Sequence, residues 1–194
     1  MSTDNVTTAL IVCDVQTGII DNFAFARPVV PILAAAIPAA RSLGVRIIYL
    51  RAALRANGSD VHPNNTLFQQ FHEMGTVFHE NSDETHINEQ FEIYDTDIIV
   101  LKRRTSGFAA TDLDLILRSN DIDHLVLCGV ATSAVVAATV YAASDLDYRI
   151  SVLSDACADQ DPDVHEFLTR GVFPGRGVQV LTTDDWLAAL AGNV

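Results

Sequence analysis

The sequence predicts an α/β fold: one three-layer α/β/α domain over residues 1–194, built on a six-stranded parallel sheet of Rossmann-like type. Three observations predict it. Six short apolar runs of five or six residues punctuate the chain. Segments of helical period fill most of the gaps between them, as parallel strands joined by crossovers require. And 194 residues, 49% of them hydrophobic, suffice for one domain with a sizeable core.

The elements follow in order. Residues 8–13, TALIVC, form a continuous apolar run, as in a strand buried on both faces. Residues 29–43 are rich in Ala and Leu at helical spacing and stop at Gly44, a natural C-cap. Residues 45–50 are the second strand. The segment 51–94 is irregular, with the polar loop RAALRANGSDVHPNN and then a helix-like LFQQFHEMG. Loops of this length are usually functional or mobile, and this one leaves the C-terminal end of a strand, so it is expected to lie over a site. Strands at 97–101, 123–128, 149–153 and 177–181 alternate with helices at 110–119, 132–145, 162–171 and 183–191. Asp112, Asp161 and Thr183 stand near helix starts, where a side-chain oxygen can satisfy free N–H groups.

Composition excludes several classes. The formal net charge is −13, against the cationic surface that nucleic acid or an anionic membrane demands. No apolar run reaches the ~20 residues of a spanning helix, and the N-terminus shows no basic segment followed by an apolar one. Cys13, Cys128 and Cys157 are odd in number and sit in apolar runs, which fits buried thiols in a reducing cytoplasm. Neither they nor the six histidines have metal-ligand spacing, so neither metal nor other cofactor is expected. The expected partner is a small-molecule substrate.

Ligands of an open parallel sheet bind outside the carboxyl ends of its strands. Asp14 directly follows the first strand, Lys102 the third, and the turn from Gly129 to Val135 the fourth. Three chemically distinct segments are thereby delivered to one sheet edge. An Asp facing a strand-end Lys there makes a candidate catalytic pair, with each group's ionisation set by the other. Thr132 and Ser133 are in N-cap position for the next helix, whose free N–H groups favour negative charge.

These segments closely resemble the isochorismatase-like hydrolases, a superfamily that includes cysteine amidohydrolases. The resemblance rests on DVQ at 14–16, KRRTSGF at 102–108, and the strand, turn and helix around GVATSAVV at 129–136. It continues through Ser106, Phe108, Thr111 and Leu113, which fit the family's S-x-F-x-x-T-x-L spacing, and through Asp155-Ala156. It implies that Asp14 and Lys102 are catalytic and that Val135 stands where the amidohydrolases carry their nucleophilic cysteine. It implies substrate contacts from Gln16, Arg104, Phe108, Ala131, Thr132, Ser133 and Ala134, a cis peptide at Val130–Ala131, and a homo-oligomer. Arg104 matches an Arg that would meet substrate carboxylates in isochorismatases proper. Arg51-Ala52-Ala53 replaces the D-x-H metal motif of nicotinamidases, which removes that activity.

Valine has neither lone pair nor titratable proton, so a thiol mechanism through residue 135 is excluded. The first expectation is a hydrolase acting on a small metabolite, a carboxylated one among the candidates, through a Cys-independent Asp/Lys mechanism. Isochorismatase proper works without the thiol, but its aromatic residue and His are replaced here by Ala131 and Ser133. The alternative is a catalytically retired binding or regulatory protein on the same scaffold.

Overall fold

A computed structural model describes residues 7–192. Its strands are β1 (Thr7–Cys13), β2 (Arg46–Ala52), β3 (Ile98–Lys102), β4 (Ile122–Val130), β5 (Arg149–Ala158) and β6 (Gln179–Leu181). All pair in parallel, in the order β3-β2-β1-β4-β5-β6. The continuous apolar runs go to the middle of this sheet. Ala9 through Cys13 and Leu125 through Cys128 are wholly buried, so both faces of these strands are covered. β3 is an edge strand, and Ile99 and Leu101 on it remain partly exposed.

Eight helices accompany the strands among the described residues: α1 (Thr17–Asn22), α2 (Val29–Ser42), α3 (Thr66–Glu73), α4 (Leu113–Ser119), α5 (Ala137–Asp145, entered through a π-helical turn Thr132–Val136), α6 (Pro162–Phe167), α7 (Phe173–Gly175) and α8 (Thr183–Gly192). The chain winds outward from β1 to β3, then back to β4 and outward to β6. Right-handed crossovers in opposite directions place their helices on opposite faces. α2 and α8 pack on each other and on β5, while α4 lies on β4 and α5 on β5.

The apolar stretch Ala24–Ser42 is 19 residues long and, by length and composition alone, sufficient to cross a membrane, which corrects the sequence expectation. Its burial pattern assigns it to the core. Val29, Val30, Leu33, Ala36, Ile37 and Ala40 are buried on one helical stripe, and Leu33 is fully enclosed. Leu33→Ala would cost about 2–5 kcal/mol by the usual transfer and cavity terms.

Other elements differ from expectation for local reasons. α1 was not anticipated, being only six residues long. Asp112 precedes α4 but makes no capping bond, whereas Asp161 accepts from the Asp163 N–H at 3.0 Å. At α8 the capping hydroxyl is that of Thr182, which accepts from Asp185 N–H, while the Thr183 N–H is taken by Asp155. β5 runs to Ala158, five residues past its apolar run, because its end pairs with Gly129 and Val130 after a register shift.

Gly129 marks the seam between the two halves of the sheet. Its φ is +104°, a region closed to most L-residues. A Cβ there would sit 2.1 Å from the Cys13 carbonyl oxygen. Only glycine lets β4 leave the sheet this close to β1.

Candidate active site

The strand order reverses between β1 and β4, and a crevice opens at their carboxyl ends. Asp14 is the first residue beyond β1. Its φ of 53° turns the chain out of the sheet, with its N–H still donating to Leu50 O at 3.1 Å. Lys102 ends β3, two strands away. Strands lie ~4.8 Å apart, so the lysine stem must cross the end of β2 to reach β1. β2 offers Ala52 and Ala53 there, too small to obstruct it, and Ala53 N–H donates to Lys102 O at 3.1 Å. The crossing succeeds: Lys102 Nζ lies 2.8 Å from Asp14 Oδ2, and both side chains are more than nine-tenths buried.

The two oxygens of Asp14 are unequal. Oδ2 is held by the ammonium, while Oδ1 has no hydrogen-bond partner among the described residues. Burial pushes the Asp14 carboxyl above its ordinary value, and the charge and hydrogen bond of Lys102 oppose that rise without cancelling it. This carboxyl is therefore poised to exchange a proton.

β4 continues into a cis peptide at Val130–Ala131, followed by the π-helical turn. Ala131 O accepts from Ala134 N–H at 3.1 Å and Val136 N–H at 3.3 Å. Ser133 N–H donates to Asp159 Oδ2 at 2.7 Å. The turn brings Val135, almost fully buried, to the crevice.

The crevice encloses about 480 Å³. Asp14, Lys102, Val135, Ala131, Ser133 and Ala134 line it, which brings together six of the residues singled out from the sequence. Four others lie elsewhere. Gln16 is buried against β2, donating to Ala52 O at 2.8 Å and accepting from Ala52 N–H at 2.6 Å, so it pins the strand end that Lys102 crosses. Arg104 is half-buried; its guanidinium donates to Asp60 O at 3.0 Å and rests 5.4 Å from the centre of the Phe68 ring, itself part of the crevice wall. Phe108 packs on Tyr148 with ring centres 5.9 Å apart. The Thr132 hydroxyl bonds His165 Nδ1 at 2.8 Å. These four are not among the residues that line the crevice.

Sequence reasoning missed other lining groups. Asp159 follows β5 by the same strand-end rule that found Asp14, but β5 extends past its apolar run, which hid it. Phe68, Phe71 and Phe78 come from the long segment after β2, and Phe23 and Phe25 from the turn after α1. Phe71 and Phe78 stack with centres 4.5 Å apart. The segment was expected over the site; its aromatic lining carried no pattern legible beforehand.

No thiol lines the crevice among the described residues. Cys13, Cys128 and Cys157 are buried and free, and burial pushes all three thiols up. Raised pKa and enclosure both suppress thiolate, the reactive form. The arrangement can therefore do proton transfer at a carboxyl held by an ammonium, beside an apolar chamber.

Residues 8–185 match the family described as Isochorismatase domain. The ureidoacrylate amidohydrolase RutB of Pantoea ananatis (strain LMG 20103) is 32% identical over 177 residues, covering 80% of this chain and 71% of that protein. An uncharacterized isochorismatase family protein of Bacillus subtilis (strain 168), YwoC, is 39% identical over 95 residues; the match spans 49% of this chain and about half, 50%, of YwoC. A cysteine hydrolase structure from Pseudomonas syringae pv. phaseolicola 1448A superposes with a TM-score of 0.89 at 25% identity, covering 100% of both chains. The N-carbamoylsarcosine amidase of Thermoplasma acidophilum superposes with a TM-score of 0.76 at 26% identity, over 92% of this chain and 98% of that one.

Proposed function

We propose, from the premise that this chain belongs to the isochorismatase family of hydrolases, that it hydrolyses a small metabolite by acid–base chemistry at Asp14, with water as the nucleophile and no covalent enzyme intermediate. The observation that carries this reading is the unequal carboxylate: Oδ2 anchored 2.8 Å from Lys102, Oδ1 without a protein partner among the described residues, at the wall of the chamber. Lys102 fixes the carboxyl and keeps it from being wholly neutralised by its own burial. Asp14 accepts a proton from the attacking water and returns it to the departing atom, so atoms and charge balance over the cycle. Val135 occupies the place of the amidohydrolase nucleophile and serves only as apolar wall.

The test is a panel of vinyl ethers, ureides, amides and esters offered to the wild type and to Asp14→Asn. The substitution preserves shape and removes the titrating oxygen, so turnover should fall by ~10²–10⁴. Cys13→Ala, Cys128→Ala and Cys157→Ala should each keep activity. An Asp14→Asn enzyme as active as wild type would sink the reading, as would loss of chemistry in any folded cysteine variant. A protein silent on every substrate that nonetheless binds one of them would favour the retired-scaffold alternative.

A further inference from the structure

The chamber has a charge preference that acid–base hydrolysis alone does not demand. Two carboxylates, Asp14 and Asp159, line it against one ammonium, Lys102. That ammonium is engaged 2.8 Å from Asp14. The nearby guanidiniums are already engaged by protein groups, and that of Arg104 rests 5.4 Å from the centre of the lining Phe68 ring. Arg103 pairs with Asp60 and Glu80, Arg104 donates to backbone oxygens, and Arg51 donates to Thr85 O and Glu80 O.

The start of the helical segment 132–145 would ordinarily attract an anion. Here the Asp159 carboxylate takes the Ser133 N–H at 2.7 Å, so an internal anion already occupies that place. Five of the remaining lining residues are aromatic, Phe23, Phe25, Phe68, Phe71 and Phe78. Aromatic faces carry negative potential and attract cations. Asp14 Oδ1 adds a buried acceptor without a protein donor among the described residues. Each of these features disfavours an incoming anion, and each favours a positive, N–H-donating head.

We propose that this chamber selects a ligand with an apolar, aromatic-sized body and an ammonium head, and that Asp159 sets the selectivity for charge. This rests on the same chamber being the substrate site, but not on any catalytic step. It also replaces the expectation of a carboxylated substrate, because Arg104, the residue that would have met the carboxylate, lies outside the lining.

The test uses three probes without a hydrolysable bond: 2-phenylethylamine, 2-phenylethanol and phenylacetate, titrated calorimetrically at neutral pH. The amine should bind wild type about tenfold or more tighter than the carboxylate, with the alcohol between them. Asp159→Asn keeps an oxygen for the Ser133 N–H and removes the charge; it should shrink the amine-to-carboxylate ratio severalfold. Phenylacetate binding as tightly as the amine would overturn the proposal. So would an unchanged ratio in Asp159→Asn, or no binding by any probe at millimolar concentration. Activity that survives in Asp14→Asn defeats the acid–base reading alone, since the probe titrations do not depend on turnover.

Discussion

Lys102→Met tests whether the Asp14–Lys102 contact is the electrostatic centre of the site. Methionine matches the unbranched apolar stem of the lysine and removes its ammonium, charge and N–H donors together. Opposite charges 2.8 Å apart attract by about 6 kcal/mol at an effective dielectric of ~20. Part of that attraction is offset, because the lysine no longer has to be desolvated. Breaking one side of a buried pair nets about 3–5 kcal/mol of destabilisation. The loss should depend on pH with a definite sign. The Asp14 carboxyl already titrates above its unfolded value of 3.8 through burial, and Lys102 is the group holding it down. For a carboxyl raised on folding, the contribution to stability is fully present below the unfolded pKa and fades as pH rises through the folded one. Removing Lys102 raises the folded value further, so the deficit of the variant should be small near pH ~4 and grow towards pH ~8. Urea denaturation of wild type and Lys102→Met across that range measures it, with Asp14→Asn/Lys102→Met as the control that removes the buried charge. A deficit independent of pH, or a double variant no more stable at pH ~8 than Lys102→Met, would refute the reasoning.

Two further outcomes follow from the same geometry. Val135→Cys should fold with a cost under about 1.5 kcal/mol, since it fills nearly the same volume, and should react with iodoacetamide faster than an unperturbed cysteine because Lys102 shares its chamber; the three native thiols, buried and pushed up, give little background, and ordinary labelling rates at 135 would show that the residue does not face the polar site. Arg103→Ala should release the segment above the chamber, because its guanidinium joins Asp60 and Glu80 of that segment to the end of β3; hydrogen exchange across residues 55–80 should accelerate with little change in the global unfolding midpoint, and unchanged exchange there would mean the segment is held by its aromatic packing alone.

The sheet was legible because its central strands are buried on both faces, which leaves continuous apolar runs such as 8–13 and 123–128. Asp14, Lys102 and Val135 were legible because strand ends in a parallel sheet converge. What escaped was tertiary. β5 continues to Ala158 through pairing with β4 and carries Asp159 into the chamber, a placement its hydropathy conceals. Gln16 and Arg104 sit in the right stretches of sequence, yet their side chains are claimed by Ala52 and by Asp60 O. A motif places a residue near a site; competing hydrogen-bond partners decide which way it points. Lys102 could be recognised as a strand-end lysine, but only the small side chains of Ala52 and Ala53 let it reach Asp14, and that dependence belongs to a neighbouring strand.

The reversal of strand order between β1 and β4 has a consequence for how such a site can change. The ion pair of Asp14 and Lys102 comes wholly from the first three strands. Val135 and the carboxylate of Asp159, which line the same chamber, follow strands of the second half. The chamber is thus a joint between two contributions that share a boundary at Gly129 and little covalent structure. A substitution at residue 135 or 159 changes one contribution while the contact between Asp14 and Lys102, built on the other, stays in place. Gly129 is the seam at which the two contributions to the chamber meet.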